Sequence, residues 1–139
     1  PVRTGGAAVS HDYFRLLGVP LAQGRGFTAE EDAPGAPRVV VLTHEFWQAR
    51  LGGRAGVVGS TVRLNDELWT VVGVLPASFR DPLGTTGLYR PLRLGPDAPC
   101  GRGCYTLRAI GRLKPGVTHE QARADVAGIM RRLGEQFPE

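Results

Sequence analysis

The strongest constraint in this chain is local. Thr61-Val62-Arg63-Leu64 and Leu68-Trp69-Thr70-Val71-Val72-Gly73-Val74-Leu75 are two runs rich in β-branched and aromatic residues, and Asn65-Asp66 stands between them. Asn and Asp tolerate the positive φ that a tight hairpin turn demands, so the pattern predicts a β-hairpin and a fold organised around a sheet. The best apolar run, Val71 to Leu75, is strand-sized. No segment approaches the ~20 consecutive apolar residues of a membrane-spanning helix.

A second run, Arg38-Val39-Val40-Val41-Leu42, is continuous in β-branched residues and reads as a strand buried on both faces. Thr43 then caps a helix from His44 to about Leu51, which glycines 52, 53 and 56 terminate. Ala7-Ala8-Val9 reads as the end of a strand, and Ser10 as the cap of a short helix closed by Gly18. Residues 19–27 form an irregular connection, and Thr28-Ala29-Glu30-Glu31 matches a capping box that Pro34 and Pro37 keep short. Leu88 to Leu92 is a short extended piece. Tyr105 to Leu113 alternates in polarity as a half-exposed strand does. Thr118 and Gln121 form a further capping box, followed at helical spacing by Ala122, Val126, Ile129, Met130 and Leu133, with Gly134 as the stop.

With 139 residues, 42% of them hydrophobic, the chain can bury one ordinary core. Its 20 glycines and 11 prolines predict many loops. The net charge of +4 comes from 16 arginines and one lysine, Lys114, scattered from Arg3 to Arg132 without a basic block. That distribution is a compositional bias and argues against a nucleic-acid surface. Lys114 follows no glycine-rich loop, and neither Gly24-Arg25-Gly26 nor Gly101-Arg102-Gly103 has the third glycine of a dinucleotide fingerprint. Nucleotide hydrolysis by this chain is therefore not expected.

Searches for other chemistry also stop short. His44-Glu45-Phe46-Trp47-Gln48 and His119-Glu120-Gln121-Ala122-Arg123 each lack the second histidine of a His-Glu-x-x-His zinc helix. Glu30-Glu31-Asp32 reads as negative charge in a first helical turn, because nothing in its context would separate two carboxyl pKa values. Ser10, Ser60 and Ser78 have no nucleophile-elbow context. Phe46, Trp47, Trp69 and Phe79 read first as packing residues, with a partner-binding patch as the other reading. Cys100-Gly101-Arg102-Gly103-Cys104 is a glycine-rich loop in which the two thiols can close a disulfide in an oxidising compartment. Two free thiols, or a metal or redox role, are its alternatives. The residues thus predict no catalytic, cofactor-binding or metal site.

The order of the motifs carries more than any one of them. Val9 to Leu21, Gln23 to Thr28, Arg38 to Leu42 followed by Thr43-His44-Glu45-Phe46-Trp47, Val58 to Asn65 and Thr70 to Pro76 together resemble the MacB-like periplasmic core domain of ABC transporter permeases. Phe46-Trp47-Gln48 and Gly73-Val74-Leu75-Pro76-Ala77-Ser78-Phe79 are similar to the acidobacterial-type duplicated orphan permeases of the FtsX-like branch. The resemblance runs over about residues 7–134.

It implies an α+β fold, a porter-like α/β layer carrying an inserted small α/β (Sabre-like) subdomain. On that template residues 1–17 and 104–139 are porter-like, 18–95 are the insertion, and 96–103 are a cysteine-containing connection. The family's first strand and helix have no counterpart here, which suggests a fragment of one extracytoplasmic domain. The resemblance further implies a non-catalytic domain on the periplasmic side of the bacterial inner membrane, working in export or mechanotransmission. Its implied partners are the permease's transmembrane helices, a cytoplasmic ABC ATPase, and a periplasmic adaptor or second permease copy. The alternative is a free-standing periplasmic binding module for a lipid, peptide or envelope glycan. An enzyme built on the cysteines or a histidine is a third reading.

Overall fold

The computed structural model describes residues 4–82, 84, 87–95 and 107–138. Its elements in chain order are β1 (Gly6–Val9), α1 (Tyr13–Leu16), β2 (Gln23–Gly24), β3 (Val39–Leu42), α2 (His44–Leu51), β4 (Thr61–Leu64), β5 (Glu67–Val74), β6 (Leu88–Pro91) and α3 (His119–Gln136). The chain divides into two units, Pro1–Cys104 and Tyr105–Glu139.

In the first unit the hairpin forms as the sequence predicts. Asn65 and Asp66 take φ of 49° and 63° and turn β4 back onto β5 in antiparallel register, with Val62 opposite Trp69. The sheet runs β1-β6-β3-β5-β2, with β4 also on β5. β3 is parallel to β5 and antiparallel to β6, and β1 is parallel to β6. All four residues of β3 are buried, Val40, Val41 and Leu42 completely, as expected of a strand covered on both faces.

One face is filled by Val40, Leu42, Val57, Val62, Val71 and Leu88, against which Phe46, Trp47 and Leu51 of α2 pack with Leu64 and Trp69. The other face collects aromatic rings. Tyr89, the neighbour of Leu88, points the opposite way and meets Phe14 edge-on at 5.2 Å, with Phe79 and Tyr13 at about 6 Å.

β1, β3, α2, β4, β5 and β6 form where the sequence places them, and Thr43 caps α2 by accepting from the Phe46 N–H at 3.2 Å. Three local expectations are corrected in this unit. α1 is a single turn whose N-cap is Asp12; Ser10 instead donates to Asp12 at 2.9 Å. The capping-box bonds of Thr28 and Glu31 form, at 3.0 and 3.3 Å, but only turns follow, because Pro34 and Pro37 leave no room for a helix. The irregular connection contains β2, which pairs Gln23 with Val74 and Gly24 with Gly73. Two glycines permit this approach. A Cβ on Gly24 (φ +68°) would come within 2.1 Å of the Val72 carbonyl oxygen, and one on Gly73 within 2.4 Å of the Arg25 carbonyl oxygen.

The second unit is dominated by α3. Thr118 and Gln121 form the predicted reciprocal capping box, at 3.2 and 2.9 Å. The helix passes through Gly134, the stop expected from the sequence, and runs on to Gln136. An internal glycine costs only ~1 kcal/mol relative to alanine, whereas Pro138 cannot continue the helix and ends it. Of the strand expected over Tyr105 to Leu113, Tyr105 and Thr106 lie outside the described residues, and Leu107 to Leu113 is not a strand, because no described strand pairs with it and alternation alone supplies no hydrogen-bonding partner.

Candidate functional site

Neither incomplete zinc pattern gains a further ligand among the described residues. His44 packs edge-on against Trp47 at 5.5 Å, and among the described residues no group of three or more His, Cys, Asp or Glu side chains could hold a metal. Cys100 and Cys104, the candidate disulfide, lie outside the described residues.

The acidic cluster is divided between structural tasks. Glu31 takes a bidentate ion pair from Arg25 at 2.7 and 2.9 Å, and this bond is the main cause that holds its carboxyl below the usual range. Asp32 accepts the backbone N–H groups of His11 and Arg93 at 2.9 and 2.8 Å, tying two distant segments to one turn. These carboxylates staple loops.

A third carboxylate, Asp81, receives the hydroxyls of Tyr13 at 2.9 Å and Tyr89 at 2.6 Å. Burial, with the facing carboxylate, raises both phenol pKa values well above the ordinary 10. This clamp fixes the aromatic face of the sheet to the segment after Phe79. No sequence motif marks this clamp, since Tyr13 is 68 residues from Asp81 and all three residues are ordinary in type.

The most site-like feature is a half-open cleft of about 450 Å³ in the first unit. Phe46, Trp69 and Leu88 supply apolar lining, and Arg50, Arg63 and Arg90 line it as well. The one carboxylate among its described lining residues, Glu67, is already paired with Arg38 at 2.6 Å. The indole N–H of Trp69 is buried without an acceptor. Phe46 and Trp69 were legible as packing residues. The arginines were not singled out, because α2, β4 and β6 bring them to one place from separate parts of the sequence.

Solved structures provide the comparison for this fold. The periplasmic region of MacB from Actinobacillus actinomycetemcomitans matches with a TM-score of 0.61 at 24% identity, over 91% of this chain and 55% of that one. At that identity the likeness is one of fold. The extracellular domain of the noncanonic ABC-type transporter YknZ from Gram-positive bacteria matches with a TM-score of 0.48 at 20% identity, over 61% of this chain and 41% of that one. No curated protein matches. The chain thus spans about half the length of the MacB periplasmic region. The α+β class expected from the sequence is the class observed. The model of the MacB-like periplasmic core domain covers residues 2–129, nearly the whole chain, and the chain belongs to that family.

Proposed function

We propose that this chain is a non-catalytic extracytoplasmic part of an ABC transporter permease, acting in export or mechanotransmission through conformational change and partner docking. The observation that carries the reading is the exposed apolar stripe of α3. Val126 (58% exposed), Ile129 (47%), Met130 (59%) and Leu133 (40%) recur at helical spacing, and no element among the described residues of their own unit covers them. An amphipathic helix with an open apolar face is suited to docking. Nucleotide hydrolysis by a separate cytoplasmic subunit would supply the energy, transmitted through the permease's membrane helices. The porter-like role falls to residues 1–17 and 104–139 and the inserted role to 18–95, with β1 pairing on β6 of the inserted part.

The test uses the full permease reconstituted with its ATPase, carrying fluorescent labels at Ser78 and Glu135, both exposed residues. The separation of the labels is expected to change between the nucleotide-free and ATP-bound states. The same separation in both states overturns mechanotransmission. An oxidising compartment further favours a Cys100–Cys104 disulfide. Intact mass after alkylation, with and without prior reduction, reads it directly, and two freely alkylated thiols in protein taken from its native compartment overturn it.

A further inference from the structure

Arginines in the first unit fall into two groups. Arg25 pairs with Glu31, Arg38 with Glu67, Arg54 bonds Ser60, Arg80 bonds the carbonyls of Ala77 and Phe79, and Arg93 bonds the carbonyls of Glu31 and Pro37. Arg15, Arg50, Arg63 and Arg90 have no side-chain hydrogen bond or ion pair among the described residues, and three of these four, Arg50, Arg63 and Arg90, line the same cleft, while Arg15 lies outside it. Scattered solvent-facing arginines would not be expected to concentrate in this way. The cleft's volume of about 450 Å³ lies within the ~300–1,000 Å³ common for small-molecule sites.

We propose that this cleft binds a small amphiphilic anion: a carboxylate or phosphate group held by Arg50 and Arg90, with Arg63 adding positive charge, and an apolar body laid against Phe46, Trp69 and Leu88. Guanidinium groups recognise both oxyanions through paired N–H donors. The apolar lining rewards a hydrocarbon or ring that inorganic phosphate lacks. The one acid among the cleft's described lining residues, Glu67, has its charge offset by Arg38 and does not cancel the field of the three arginines. The site lies wholly within the first unit and stands independently of any role in mechanotransmission.

Calorimetric titration of the intact chain tests it with four probes: octyl phosphate, octanoate, octanol and inorganic phosphate, all below micelle-forming concentrations. Saturable binding of octyl phosphate or octanoate is expected, at least tenfold tighter than octanol or inorganic phosphate and weakened by added salt. The stronger of the two anionic probes identifies the headgroup. Arg50→Ala and Arg90→Ala should each weaken binding about tenfold, Arg50→Lys by less, and Arg15→Ala, a change outside the cleft, not at all. Circular dichroism checks that each variant folds, and Arg90→Gln replaces any alanine variant that does not. Equal binding of octanol makes the cleft merely apolar, and equal binding of inorganic phosphate makes it merely cationic. Either result overturns the proposal, as does the absence of saturable binding, or affinity unchanged in the folded Arg50 and Arg90 variants.

Discussion

The two units treat their apolar residues in opposite ways. In the first, Val40, Leu42, Val57, Val71 and Val74 are completely buried in and around a sheet whose strands come from separate parts of the segment. In the second, α3 has as regular an apolar pattern as any element in the chain, yet Val126 and Met130 are more than half exposed. Periodicity specifies that a helix forms and which of its sides is apolar. It does not specify that the same segment of chain supplies the cover.

This contrast can be broken by graded substitution. Leu42→Ala removes a completely buried side chain at the centre of the sheet and should destabilise the first unit by about 3 kcal/mol, measured by urea unfolding. Tyr89→Phe should come next, at about 1–2 kcal/mol, because the Asp81 carboxylate loses one of its two phenolic donors. The same clamp gives the first unit an alkaline limit. Its phenol pKa values are raised on folding, so the stabilisation is complete below the ordinary value of 10 and is lost as pH rises beyond it. Tyr89→Phe should flatten that alkaline decline, and a decline of unchanged steepness would show that the clamp does not cause it. Val126→Ala and Met130→Ala should have the smallest effect, each below about 0.5 kcal/mol. A cost above about 1 kcal/mol would mean that the α3 face is covered in the folded chain, and the contrast between the units would fail.

Much of the fold was legible where the signal is local. The Asn65-Asp66 turn, the wholly apolar strand β3, the Thr43 cap and the Thr118–Gln121 box each depend on residues within a few positions of one another. The failures have a common cause. β2 exists because Gly24 meets Gly73, some fifty residues away, and Leu107 to Leu113 has the alternation of a strand but no described strand beside it. The helix after Thr28 was lost to two prolines that the sequence displayed plainly, and Gly134 was given more stopping power than a single glycine has. The arginine cleft was illegible for the same reason as β2. Its residues stand on α2, β4 and β6, and only the sheet order brings them together.

The close approach of Gly24 and Gly73 also bears on solubility. By lying against Gly73 and Val74, β2 takes up main-chain groups of β5 beyond the reach of β4, and the Ala22 and Arg25 N–H groups bond the Val74 and Val72 carbonyls at 2.9 Å. Without this two-residue strand, the apolar end of β5 would present a free row of donors and acceptors to any other chain in extended form. A single methyl at either glycine would push the cover away. These two glycines therefore guard against strand-to-strand aggregation, a duty that the completely buried residues of the sheet cannot perform.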